Sequence, residues 1–451
     1  MSAPSTTGHV VAVIGGATAG AEVAARLADH GCRVVVFEQN PRPFGKIEDG
    51  LPRWHAGLRN KEYATIGEKL ARPGIEFVPN TRVGGDVEFA ELCREWGFSA
   101  VVLACGAWRD RPLPIDGAEA YVGKGLIYQN PFIIWFNHYE EAGYAGETFT
   151  CRDGALVVGG GLASIDVAKV IMLETTRARL RERGVEVDML QLELKGIPKT
   201  LDAHDLRWED LGLEGCTIFY RRRPEDMPLV EIPDGADEAR TEKVRLTRRR
   251  LLDKATEKFC FKLEPLSAPD GLLVEDDQVV GLRLRRTRVE GGRVHPTEET
   301  YERRGVYVIS SIGSIPEPIP GIEMKGELFA FTDWDFGRLD AYPNVFSVGN
   351  VVTGKGNIVA SRKHAGQVYE EALASFLGLG EDGHEAEAAM LEHETIGEQA
   401  EKIADELGTT APPSPQVVAE ILERTRRRQD AVGYGGSYAT WLEKVAPISG
   451  S

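Results

Sequence analysis

The chain has 451 residues and six cysteines, and no two of the cysteines form C-x-x-C. That absence removes the signature of a dithiol redox centre and of a zinc or iron–sulfur site. Cys32, Cys93, Cys105, Cys151, Cys216 and Cys260 then read as small buried hydrophobes. The nine histidines include no H-x-x-x-H pair, so no metal is expected. No apolar run is long enough to cross a bilayer. The opening MSAPSTTGHVVAVIGG runs into an apolar stretch without a basic flank, so a cytoplasmic protein without a signal peptide is expected. Positive charge is scarce too: the formal net charge of -17 disfavours binding of nucleic acid or an anionic membrane by the whole surface. The basic residues present are concentrated in RRRP (221–224), RLTRRRLLDK (245–254) and LRLRRTRVEGGR (282–293).

What is there suits a globular chain, with 42% apolar and 27% charged residues. The length exceeds what one compact core holds, so two or three domains are expected. Val10 to Ile14 reads as an apolar strand, followed by a Gly-rich turn, an Ala-rich helix over Ala21 to His30 and a strand from Arg33 to Phe37. This β-α-β unit has the length that dinucleotide binding needs. A second unit begins at ALVVGGGLASIDVAKVIM (155–172), with a later strand in CTIFYRRRP (216–224). SAVVLACGAW (99–108) and GVYVISSIGSIP (305–316) are short strands ending in small-residue turns, and residues 345–376 read as strand, Gly-rich loop and long helix. The order is nested: one nucleotide unit, a second inside it, then a return to the first.

In the first turn Gly15 and Gly20 occupy the outer positions of G-x-G-x-x-G, while Ala17 replaces the middle glycine and adds a methyl where pyrophosphate approaches. Glu38 ends the second strand, where an acid accepts hydrogen bonds from ribose hydroxyls; that suits FAD or NAD rather than NADP. In the second turn Gly159 and Gly161 are in place, Leu162 and Ala163 open the helix, and Ser164 holds the third position. Arg221 and Arg222 at the end of the later strand can form paired hydrogen bonds with a 2′-phosphate, which points to NADP. One site for FAD or NAD and another for NADP in one chain imply hydride transfer between nicotinamide and flavin.

Several segments resemble the adrenodoxin reductase type of ferredoxin–NADP reductase and the related glutamate synthase small subunit, over roughly residues 8–376. They are RPFGKIEDGLPRWH (42–55), FIIWFNH (132–138), GGGLASIDVAK, YRRRPEDMP, the SSIG strand end at Ser310–Ser311, and VFSVGNVVTGKGNIVASRKHA (345–365). The resemblance implies an α/β fold of two three-layer Rossmann-like domains. The NADP domain (121–316) would be inserted into an FAD domain (1–120 and 317–380), with a helical appendage over 381–451. It implies that Gly15, Ala17, Gly20 and Glu38 hold the ADP half of FAD. Phe44, Gly45 and Lys46 would line the flavin, and Gly349, Asn350, Asn357 and Ile358 would meet it from the late loop. Gly159, Gly161, Leu162, Ala163, Arg221 and Arg222 would hold NADPH, and His55 matches a histidine near the flavin. Relatives often carry Gly-Asp or Gly-Trp where this chain has Gly349–Asn350, and TGKGN (353–357) replaces a G-P-T-G loop. The expected function is hydride transfer from NADPH to FAD and electron transfer to a protein acceptor, a ferredoxin. The arginines at 245–250 and 283–288 are candidates for its docking face or for a solvated strand-and-helix face. Two alternatives stand beside it: an NADPH-oxidising electron-input subunit of a larger oxidoreductase, and a non-catalytic flavin redox sensor.

Overall fold

A computed structural model describes residues 7–233, 235–379 and 409–446. Ten strands carry the two central sheets: β1 (Val10–Ile14), β2 (Arg33–Phe37), β3 (Ile75–Val78), β4 (Ala100–Leu103), β5 (Leu126–Tyr128), β6 (Leu156–Gly159), β7 (Thr217–Tyr220), β8 (Lys262–Pro265), β9 (Val308–Ser311) and β10 (Val345–Ser347). The helices used below are α1 (Thr18–Asp29), α2 (Ala56–Leu70), α3 (Leu162–Glu182), α4 (Glu238–Phe259), α5 (Ile358–Val368), α6 (Pro415–Ala431) and α7 (Tyr438–Lys444). Two compact units result. The first holds the described residues up to Leu51, His55–Arg109 and those from Ile315 onward; the second holds Pro52–Trp54 and Asp110–Ser314.

The first unit is built on a sheet of order β10-β4-β1-β2-β3, every neighbouring pair parallel. Parallel strands are covered on both faces and read as unbroken apolar runs, as VVAVI in β1 does. Alternate side chains point to opposite faces. Val11 and Val13 join Ala21, Ala24 and Leu27 of α1 in one apolar cluster, while Val10, Ala12 and Ile14 join Phe89, Leu92 and Ile421 in another. β2 and β3 follow β1 to one side, and β4 and β10 lie on the other. The order therefore reverses between β1 and β4, and the crevice at their carboxyl ends is where open α/β sheets take ligands.

The second unit repeats this plan with the order β5-β9-β6-β7-β8, again parallel throughout. Val157 and Ile218 face the helices, with Val167, Val170 and Ile171 of α3. The opposite face is covered by a three-stranded antiparallel sheet (Ser267–Glu275, Gln278–Glu290, Arg293–Arg304), whose Leu282 and Leu284 pack on Leu156, Val158 and Phe219. The expected α/β class and three layers are both present, with strands rather than helices forming the third layer here.

Of the C-terminal segment 381–451, residues 381–408 and 447–451 lie outside the described residues. The remainder forms α6 and α7, each capped by a serine hydroxyl: Ser414 accepts from the Val417 N–H and Ser437 from the Thr440 N–H.

Candidate nucleotide-binding sites

The chain leaves β1 at Gly15 with φ +100°, and a Cβ there would lie 2.7 Å from the Ala104 carbonyl oxygen at the end of β4. Gly20 faces a harder limit, since a Cβ would stand 1.9 Å from the Gly15 carbonyl oxygen. Helix and strand can meet this closely only without that atom. Ala17 occupies the N-cap of α1, and no side chain caps the helix, so its first N–H groups are left for an anion. The extra methyl of Ala17 is accommodated by an absence opposite it: a Cβ on Gly45 (φ +50°) would come within 3.0 Å of the Ala17 Cβ. The two positions are coupled, which explains how the turn does without its middle glycine.

Glu38 is buried at the end of β2 and accepts from the Gly16 N–H (2.9 Å) and the Asn40 N–H (3.0 Å). Burial pushes its carboxyl up to about 7, with those N–H groups pulling the other way. A carboxylate has about four acceptor sites, and two are used here, so ribose hydroxyls can still be received. Gly15, Ala17, Glu38 and Gly45 line one cleft. Sequence reasoning missed Thr81, Arg82, Cys105, Trp108 and Glu317, which line the same cleft. The small-residue turn after β4 (Ala104 to Ala107) was the available signal for Cys105; nothing local marks Thr81 or Arg82. Burial pushes the Cys105 thiol up to about 12, so it stays protonated and is no nucleophile.

The remaining flavin-side residues take up several places in the first unit. Phe44 turns into the core and stacks on Tyr63 (4.1 Å between ring centres), with Arg42 over both rings. The Lys46 ammonium lies 5.8 Å from the centre of the Trp108 ring. Gly349 passes so close to α1 that a Cβ would stand 2.7 Å from the Ala19 Cβ. Its N–H donates to His364 Nδ1 (3.0 Å), which requires an unprotonated ring nitrogen; burial holds this histidine below its usual pKa. Asn350 Oδ1 is buried without a hydrogen-bond partner, the kind of acceptor a hydroxyl-bearing ligand would satisfy. Asn357 has a task within the protein, capping α5 by accepting from the Ala360 N–H (2.8 Å), and Ile358 is the first residue of that helix. His55 is half-buried at the N-cap of α2 and is not among the cleft-lining residues.

The second unit holds the other turn. A Cβ on Gly159 would lie 2.3 Å from the Ser311 carbonyl oxygen, and one on Gly160 would lie 2.1 Å from the Tyr220 ring. Gly161 is the N-cap of α3, again without a side-chain cap, and Leu162 beside it is exposed. Ser164 replaces the third glycine at no cost in polarity, since its buried hydroxyl donates to the Gly161 carbonyl (2.7 Å). Arg221 and Arg222 leave β7 at the carboxyl end, the same end at which neighbouring β6 delivers its turn.

The loop they begin is fixed from three directions. The Tyr220 hydroxyl donates to the Asp226 carbonyl (3.0 Å), and Arg223 pairs with the Asp226 carboxylate (3.0 Å). Arg248, buried on α4, donates from Nε and Nη2 to the Val230 carbonyl (2.8 and 2.6 Å). Burial works against ionisation of Asp226, but Arg223 and Arg222 hold it below the usual carboxylate range. Arg223 is thus spent on its own loop, whereas Arg222 lies 3.7 Å from Asp226 with its Nε buried and without a hydrogen bond.

The arginines expected to form a docking face are engaged as well. Arg245 pairs with Glu242, Arg249 with Asp253, Arg283 and Arg285 with Asp270, Arg286 with Glu264, and Arg288 with Glu290. Most of the arginines at 245–250 and 283–288 are therefore paired with neighbouring acids.

Residues 9–195 match the model of the pyridine nucleotide-disulphide oxidoreductases, although all six cysteines are free. Two relatives match most of the chain. The mitochondrial NADPH:adrenodoxin oxidoreductase of Arabidopsis thaliana is 24% identical over 409 residues, 81% of each chain. The NADPH-ferredoxin reductase FprA of Mycobacterium tuberculosis is 24% identical over 404 residues, 84% of this chain and 83% of FprA. Over most of its length the chain is similar to these reductases. A glutamate synthase [NADPH] small chain of M. tuberculosis is more similar, at 32% identity, over only 170 residues, 33% of that protein. The structure of M. tuberculosis FprA in complex with NADPH superposes with a TM-score of 0.63 at 18% identity, covering 94% of this chain and 90% of that one. At this identity the superposition speaks for the fold, which is the FAD/NAD(P)-binding α/β fold that the motifs led us to expect. Among the described residues, no helix is long and apolar enough to cross a membrane.

Proposed function

We propose that this protein is an FAD-dependent oxidoreductase that takes a hydride from NADPH and passes electrons to a protein acceptor of the ferredoxin kind. The observation that carries the reading is a difference between two like cradles. The strand next to the first glycine-rich turn ends in a buried acid, Glu38; the strand next to the second ends in Arg221 and Arg222. The first suits an unphosphorylated adenosine ribose and the second a 2′-phosphate. In this reading the first unit is the FAD domain and the second the NADP domain.

The residues present fit FAD: an uncapped helix for pyrophosphate, Glu38 for ribose, and the unpartnered Asn350 oxygen for a hydroxyl. Gly15, Ala17 and Gly20 would seat the pyrophosphate, with Phe44, Gly45, Lys46, Gly349, Asn350, Asn357, Ile358 and His55 on the flavin side. Gly159, Gly161, Leu162 and Ala163 would bind the NADPH pyrophosphate, and Arg221 and Arg222 its 2′-phosphate. When bound, FAD supplies a two-electron acceptor that can discharge to a one-electron partner. The protein's part is binding, orientation and exclusion of water, so no nucleophile or acid–base pair is needed.

Relatives named for adrenodoxin and ferredoxin support a small iron–sulfur protein as acceptor. The glutamate synthase small-chain likeness supports a second reading, an electron-input subunit, for which copurification with a large partner is the discriminating result. We place the protein in the cytoplasm, where six free thiols would remain reduced; cell fractionation tests this. For the activity itself, the test is steady-state reduction of ferricyanide with NADPH or NADH. A strong preference for NADPH, abolished in Arg221→Ala/Arg222→Ala mainly through KM, supports the proposal; equal use of NADH contradicts the 2′-phosphate assignment.

A further inference from the structure

Residues 409–446 contribute to neither glycine-rich turn, yet α6 and α7 close on the loops that follow β2 and β3. Two side chains reach these loops with directed hydrogen bonds and a third reaches β3. Arg428 donates from Nε to Thr81 Oγ1 (2.9 Å) and from Nη2 to the Asn80 carbonyl (3.1 Å), and pairs with Asp86 (2.9 Å). Gln429, almost wholly buried, donates to the carbonyl of Phe77 in β3 (2.9 Å). The Trp441 indole N–H donates to the Pro41 carbonyl (2.7 Å). Tyr438 meets Phe77 edge-on at 5.2 Å, and its hydroxyl oxygen is buried without a partner.

The loops held this way are those that furnish the Glu38 end of the cleft, since Glu38, Gln39, Thr81 and Arg82 all line it. They are also tied to each other: the Thr81 N–H donates to the Glu38 carbonyl (2.8 Å) and the Asn80 N–H to the Asn40 carbonyl (3.3 Å). A shift of either loop therefore moves Glu38, and α6 and α7 resist that shift from outside.

We propose that α6 and α7 form a clamp on the adenosine end of bound FAD, with Arg428 as a positioning residue acting through Thr81 on the loop beside Glu38. The inference rests on the reading of the first cradle as an FAD site. Ligand release from a cleft is eased when its walls open locally, and contacts that oppose opening slow release. Arg428 supplies a charge-assisted donor to two acceptors of one such wall, and it is itself only partly buried, so its removal leaves the core intact.

The test is the rate at which holoprotein releases flavin, read from the fluorescence regained on dissociation, together with FMN affinity of the stripped protein. FMN lacks the adenosine half. Arg428→Ala is expected to release FAD about tenfold faster, the effect of roughly 1.4 kcal/mol, with FMN affinity and the thermal midpoint of the stripped protein unchanged. Arg428→Lys should recover part of the retention. Arg427→Ala, which removes an exposed side chain paired with Glu423 on the same helix, should release FAD as the unaltered protein does. Wild-type release from Arg428→Ala overturns the clamp. So does a parallel loss of FMN affinity and thermal midpoint, which marks general support of the fold. Absence of FAD binding by the unaltered protein removes the reading of the cradle and the clamp with it.

Discussion

A methyl group is tolerated at position 17 and excluded at position 20, three residues away on the same turn. Ala17 has its methyl opposite Gly45, whereas a Cβ on Gly20 would collide with the Gly15 carbonyl at 1.9 Å. Gly20→Ala should therefore force α1 away from β1 and lower the flavin absorbance per protein severely, while Ala17→Gly should leave it near the unaltered value. Glu38 gives a pH test. Its folded pKa of about 7 lies above the usual 4.5, so the folded state holds its proton more tightly than the unfolded chain. The associated stabilisation is full below pH 4.5 and is lost as pH rises through about 7. In flavin-stripped protein, Glu38→Gln should gain in thermal midpoint relative to the unaltered chain between pH 4.5 and 7, and the difference should level off above 7. A pH-independent difference contradicts the buried, protonated carboxyl.

Among the elements, α4 shows what a helix with few buried positions is for. Only Val244, Arg248, Leu252 and Phe259 of its 22 residues are buried, and Arg248 uses its burial to hold the Val230 carbonyl. Arg248→Ala should cost about 1–3 kcal/mol in urea unfolding, the penalty for an abandoned buried acceptor. It should also raise KM for NADPH more than for NADH, because the loop it holds begins with Arg221 and Arg222. A KM change shared equally by both nucleotides would show that the loop does not position the 2′-phosphate site. Much of the fold was legible at this scale, and the reason is local. β1 and β2 have the bounds read from the sequence because apolar runs flank the glycine turn, while α1 begins three residues earlier than its Ala-rich pattern suggested. The antiparallel sheet over 267–304 was not legible, since its exposed arginines masked the alternation of Leu282 and Leu284 facing inward. Thr81 and Arg82 were missed because their place in the cleft comes from the pairing of β2 with β3 and from α6, contacts far apart in sequence.

For the whole molecule, the sequence left two readings of the arginine-rich runs open, a docking face for an acidic partner and a solvated face. The arginine side chains pair with Asp270, Glu264, Glu290, Asp253 and Glu242. Such exposed pairs contribute only about 0.2–1 kcal/mol each to stability, and they reduce the net positive charge that would steer an acidic partner. The nested order of the two units, by contrast, was readable from the positions of the two glycine-rich turns and of β10. The account as a whole depends on FAD in the first cradle being reduced by NADPH from the second. The most direct measurement is an anaerobic titration of the purified yellow protein, first with NADPH and then, on a fresh sample, with NADH. The account predicts that about one equivalent of NADPH bleaches the flavin, that NADH does so only at far higher concentration, and that Arg221→Ala/Arg222→Ala erases the difference. A flavin spectrum unchanged by NADPH would contradict it.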